Sequence, residues 1–129
     1  MALPVKRQTP VREMWKLRYF KVAVAASILL WLGTTILPSV KVLPSIYGKT
    51  ATPLHYNIHI GVDTVGPWWQ IYLVPLIGLL VMLINLLLAR YMWTRDPMLS
   101  HVAAAATVFL QMVLFVAMIF IVYLSLQYA

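Results

Sequence analysis

The chain has no cysteine. That absence removes disulfides, thiolate metal sites, iron–sulfur clusters and thiol nucleophiles together. Carboxylates are nearly as scarce: Glu13, Asp63 and Asp96 are the only three in 129 residues. Charged residues of both signs make up 10% of the chain, where a soluble domain carries about 25%. Apolar residues take their place, at 63%, where a soluble domain carries roughly 45–50%. A chain this short cannot bury so much apolar surface in a core of its own, because small domains bury the smallest fraction of their surface. Lipid is the solvent that suits the remainder, and the length allows one domain.

Three uncharged runs stand out: Val22 to Pro38, Trp68 to Ala89 and Val102 to Gln127. A bilayer core about 30 Å thick needs ~20 apolar residues in helix. Only helices and closed barrels satisfy their backbone in lipid, and runs this continuous lack the alternation of barrel strands. The expected fold is therefore all-α and integral to the membrane, with three transmembrane helices and a candidate short strand in the outer loop. The divisions are a basic cytoplasmic or interfacial tail (1–21), a first span (22–38), an extracytoplasmic loop (39–67), a second span (68–89), a cytoplasmic loop (90–101) and a third span (102–127). Pro38 and Pro44 are expected to end the first helix. Gly66-Pro67 breaks the chain before the second, with Pro67 suited to a first turn. Asp96 and Ser100 are candidate caps for the third. Pro75 should kink the second span, and Gly78 one turn later offers room for a neighbour. Trp68, Trp69 and Tyr72 mark one boundary of that span and Tyr91 and Trp93 the other, since amphipathic rings favour membrane interfaces.

The net charge of +7 is unevenly placed. Lys6, Arg7, Arg12, Lys16, Arg18 and Lys21 all precede the first apolar run. A basic cluster beside a span is a topology signal and a contact for anionic lipid headgroups, so membrane lipids are expected partners and nucleic acid is not. Arg90 and Arg95 sit in the short loop, Lys41 and Lys49 in the long one, and no Lys or Arg follows the third span. The positive-inside rule places the N-terminus in the cytoplasm and the C-terminus outside. The first span reads as an uncleaved anchor: its apolar run exceeds a signal core, and no small-x-small site follows. The segment Val11 to Lys21 fits two readings, an interfacial helix lying along the headgroups or an early start of the first helix with its lysines reaching outward.

No Asp, Glu, Lys or Arg lies well inside a span. This weighs against a proton relay, an ion pump or a carrier of charged substrates. His101 falls at the boundary of the third span, and no facing pair of histidines offers itself to a haem, so no cofactor is expected. Asn85 and Gln111 are the amides within the second and third spans, and a helix-packing hydrogen bond is their favoured role. The alanine run 103–106 allows close helix approach, within the chain or to a partner.

The long outer loop carries the densest polar chemistry. Leu54-His55-Tyr56-Asn57-Ile58-His59-Ile60 alternates strictly, as an extended strand does. His55, Asn57 and His59 then share a face, with Asp63 four residues on, and these four are the candidate ligand-binding residues. Imidazole and carboxylate can hold a metal ion. Two histidines without a clear third ligand favour a solvated face, and no metal is assigned. Ser39 and Ser45 show nothing of a nucleophile elbow, and no catalytic residue is assigned.

Pro53-Leu54-His55-Tyr56-Asn57, followed by Gly61 and Asp63, resembles the Pro-x-His-aromatic-Asn…Gly…Asp motif of a bacterial membrane domain of unknown function found at the N-terminus of SdpI-type immunity proteins. There the motif also lies between a first and a second transmembrane helix. The resemblance covers roughly residues 22–90. It implies a bacterial plasma-membrane location and a link to toxin immunity. The residues alone favour a non-enzymatic protein that acts by contact, as a subunit of a membrane-protein complex or as a homo-oligomer. Recognition of a ligand by the outer loop is the alternative, and an enzyme or transporter ranks third.

Overall fold

The computed structural model describes residues 11–46, 52–57 and 61–128. A short helix α1 (Val11–Lys16) leads into α2 (Arg18–Lys41), and one turn of helix, α3 (Leu43–Ile46), follows. Strands β1 (Thr52–Asn57) and β2 (Gly61–Gly66) form an antiparallel pair. A 3₁₀ segment (Trp68–Tyr72) runs into α4 (Leu73–Trp93), and α5 (Pro97–Tyr128) completes the described chain. Three helical stretches are long and apolar enough to cross a membrane: Arg18–Ser45, Trp68–Trp93 and Pro97–Gln127. The fold is all-α and integral to the membrane, with a small hairpin between the first two spans.

Each span outruns its apolar stretch. Helix α2 starts before Val22 and continues one turn beyond Pro38, whose carbonyl accepts the Val42 N–H at 3.0 Å. Pro38 removes one donor without ending the helix. Around it Thr34, Thr35 and Ser39 each donate their hydroxyl to the carbonyl four residues back, at 2.8, 3.0 and 2.8 Å. Such back-bonding lets a polar side chain sit in an apolar helix. Pro75 lies in the first α-helical turn after the 3₁₀ segment, where its missing N–H is least disruptive. The 90–101 loop contracts to residues 94–96, because α4 runs on to Trp93 and α5 begins at Pro97. Asp96 Oδ1 accepts the Met98 N–H at 3.0 Å and caps α5. Ser100 does not cap; its hydroxyl donates to the Ala89 carbonyl and ties α5 to α4.

The N-terminal segment divides into two helices. A break at Leu17, with φ −73° and ψ 126°, separates α1 from α2. Met14 on α1 is buried with Phe20, Ala23, Ala89, Trp93 and Ala104, so α1 folds against the bundle end. Arg18 onward belongs to the first spanning helix.

Helix α5 is the centre of the bundle. It packs along both α2 and α4, while α2 and α4 touch each other sparsely. Its buried residues are Ser100, Ala104, Thr107, Gln111, Met118, Val122 and Ser125. Their steps of three and four, or seven, follow a heptad, which keeps one seam facing its neighbours. The same spacing recurs in α2 at Phe20, Ala23, Ser27, Thr34 and Pro38, and in α4 at Pro75, Gly78, Met82, Ala89 and Trp93. Lipid provides no hydrophobic drive between helices, so close packing and hydrogen bonds must hold the seam. A Cβ added at Gly33 would come within 2.8 Å of the Phe115 ring, and one at Gly78 within 3.2 Å of Leu114. Glycine permits both approaches.

Two apolar clusters close the bundle. Met14, Phe20, Ala23, Ala89, Trp93 and Ala104 form the one at the basic end. Val42, Ile71, Met118 and Val122 form the one at the hairpin end. At the latter α5 continues past its neighbours, and β1 lies against it.

Candidate functional site

Within the uncharged middle of the spans, Ser27, Thr34, Thr107, Gln111 and Ser125 are the buried polar residues. Gln111 is buried, and its Nε2 donates to the Gly78 carbonyl at 2.7 Å. Among the described residues its Oε1 has no partner, nor do the buried hydroxyls of Ser27 and Ser125. Asn85 lies two turns beyond Gly78 on α4, half-buried, and makes no side-chain hydrogen bond among the described residues. The clasp between α4 and α5 thus joins Gln111 to a backbone carbonyl and leaves Asn85 out. An interhelical bond of this kind contributes about 0.6 kcal/mol, and at most ~2.

His101 sits at the basic end among rings. Its centroid lies 5.1 Å from Tyr19, 5.0 Å from Phe20 and 6.1 Å from Trp93. Nδ1 lies 2.7 Å from the Pro97 carbonyl, and the Tyr19 hydroxyl donates to the His101 carbonyl at 3.1 Å. These contacts fix the starts of α2 and α5 side by side.

Among the described residues, two open grooves lie against α2. The larger, of about 380 Å³, separates α2 from α4 near the hairpin end and is lined by Trp31, Thr35, Trp69, Tyr72, Leu76 and Leu79 among others. Side chains rather than packed backbones bridge it. Trp31 Nε1 donates to the Pro75 carbonyl at 2.9 Å, and the Ser39 and Tyr72 hydroxyls share a hydrogen bond of 2.8 Å. The smaller, of about 300 Å³, lies between α2 and α5 at the basic end. Tyr19, Val22, Ala23, Ala26, Ala105 and Val108 line it. The alanine run therefore divides: Ala104 is buried within the chain, while Ala105 faces out.

The four residues singled out in the loop meet different outcomes. His55 and Asn57 lie on β1, Asp63 on β2, and His59 lies outside the described residues. Of the strand expected over 54–60, residues 54–57 lie in β1, which begins at Thr52, and residues 58–60 lie outside the described residues; β1 pairs with a second strand that the alternation did not reveal. In register, His55 stands opposite Thr64 and Asn57 opposite Gly61. Two offsetting irregularities leave Leu54 and Asp63 as the extra residues of their strands. The hairpin thereby places the Asp63 backbone beside the His55–Tyr56 pairs. Among the described residues no three of His, Cys, Asp or Glu gather as metal ligands.

Comparison with protein families, with characterised proteins and with solved structures finds no match to this chain.

Proposed function

We propose that this chain is a non-enzymatic, multi-pass membrane protein that acts by contact, its α2–α4 cleft receiving a transmembrane helix from a membrane partner or a second copy. The cleft is the observation that supports this reading most directly. Helices α2 and α4 both pack on α5 yet are held apart from each other, and Trp31, Leu76 and Leu79 line the gap. A helix laid there would complete a four-helix arrangement around the seam. Large side chains already anchored by hydrogen bonds, such as Trp31, lose little conformational freedom when a partner packs on them. The N-terminus and the α4–α5 turn carry most of the cations and face the cytoplasm of a bacterial cell in this reading, with the hairpin and C-terminus outside.

Native mass spectrometry of the gently solubilised protein tests it. The expected spectrum holds a homo-oligomer or a hetero-complex that Thr35→Phe, which fills the cleft, disperses and that Val116→Phe, on another exposed position, leaves intact. A lone monomer would contradict the reading.

A second reading rests on the hairpin. The resemblance to the SdpI-type domain covers its first strand, and the register brings Asp63 alongside His55. In this reading the hairpin, braced against α5, is the platform that recognises a peptide or a toxin. Protection from a toxin that His55→Ala or Asn57→Ala abolishes would favour this reading over the first.

A further inference from the structure

We infer that the α2–α5 groove at the basic end seats one anionic phospholipid, an acyl chain along the groove and the phosphate among the cations above it. The inference goes beyond the contact reading and does not depend on it, since the two grooves lie on opposite flanks of α2.

The layout follows that of a phospholipid. The groove starts at Tyr19, one residue after Arg18, and its α2 wall ends at Ala26. That span is about 12 Å of helix, which fits within the ~15 Å depth of one leaflet's hydrocarbon. Below Tyr19 the lining is wholly side chains of alanine and valine, so the trough is apolar. At its upper end the Tyr19 hydroxyl is engaged by the His101 carbonyl, which holds the ring in place as one wall.

The charge at this end is one-sided. Arg12, Lys16, Arg18, Lys21, Arg90 and Arg95 all present exposed side chains. Against these six stand Glu13 and Asp96, so four positive charges remain in excess. Glu13 is paired with Lys16 at 2.8 Å, and Asp96 accepts the Met98 N–H. Neither carboxylate is paired with Arg18 or Lys21, which lie at the level of Tyr19 along α2. A zwitterionic headgroup gains little from such a surplus, whereas an anionic one gains with each cation near the membrane surface. The exposed rings of Trp15 and Tyr19 suit the same interfacial depth.

The test uses the full-length protein in detergent micelles, titrated with phosphatidylglycerol or with phosphatidylcholine of identical acyl chains and read by native mass spectrometry. The expected result is one retained phosphatidylglycerol per chain, at an affinity roughly tenfold above phosphatidylcholine. Arg18→Gln with Lys21→Gln should erase the preference between headgroups. Ala105→Phe should lower the retention of both lipids by filling the trough, while Val116→Phe, on another exposed position of α5, should change neither. Because Ala105 and Val116 are both exposed, loss of folding is not expected, and unchanged helical circular dichroism checks it. Equal retention of the two lipids would overturn the proposal. So would phosphatidylglycerol retention untouched by Ala105→Phe, or a dimer that Ala105→Phe splits without any lipid preference.

Discussion

The two grooves beside α2 have similar volumes and opposite origins. The α2–α4 cleft is wide because large side chains brace its walls apart, with Trp31 reaching across to the Pro75 carbonyl and Tyr72 to Ser39. The α2–α5 groove is open because its walls below Tyr19 are alanine and valine, too small to fill it. The first depends on bridging contacts, and the second on packed backbones. Substitutions should therefore damage them differently: removing a large residue undoes the first, while adding one undoes the second.

The largest expected effect strikes the packed pair. Gly33→Leu drives a side chain into the Phe115 ring, which already lies 2.8 Å from where a Cβ would stand. Overpacking of this kind destabilises by about 3 kcal/mol. Denaturation titrated with sodium dodecyl sulfate and followed by circular dichroism should show it, and a change under about 0.5 kcal/mol would mean that α2 and α5 are not so closely apposed. Trp31→Ala comes next, at about 2 kcal/mol, through lost ring contacts and a lost donor. Trp31→Phe separates those causes, because it keeps most of the ring and removes the donor alone. An expected loss of about 1 kcal/mol in the same titration would assign half of the effect to the bond with Pro75. Tyr72→Phe removes the hydroxyl pair with Ser39 and should cost about 0.6 kcal/mol.

Gln111→Leu is expected to be the mildest, within about 0.5 kcal/mol of the parent. Its loss gives up the bond to Gly78 but also removes an unpartnered buried oxygen. The Gly78 carbonyl still serves its own helix, so no group is left unsatisfied. A loss of more than about 2 kcal/mol in the same titration would show that the amide anchors the seam beyond this one bond.

Hydropathy made the three spans legible, because a bilayer imposes length and apolarity on any helix that crosses it. It misjudged their ends. Charge stops an apolar run at Lys21 and Arg90, yet neither residue interrupts a hydrogen-bond ladder, and the helices continue through both. Pro38 reads as a stop because its ring removes a donor and crowds the preceding turn, whereas a spanning helix accommodates it with hydroxyl bonds to nearby carbonyls, as at Thr34, Thr35 and Ser39. The second strand escaped notice because Gly61-Val62-Asp63-Thr64-Val65-Gly66 is short and glycine-bounded, and glycine weakens any strand signal. The central role of α5 was legible and overlooked. Ser100, Ala104, Thr107 and Gln111 already trace a heptad of small and polar residues through an otherwise apolar run. The partner of Gln111 was not legible, since any residue supplies a backbone carbonyl. The grooves depend on how three helices sit together, and no local pattern encodes that.

The absence of native cysteine offers the most direct test of the contact reading. Leu76→Cys places a single thiol on the wall of the α2–α4 cleft, where it can carry a photoactivatable crosslinker in intact membranes. The account predicts one discrete higher-mass product on illumination, missing when the thiol is placed instead by Val116→Cys. No product from the cleft, or the same products from both positions, would contradict it.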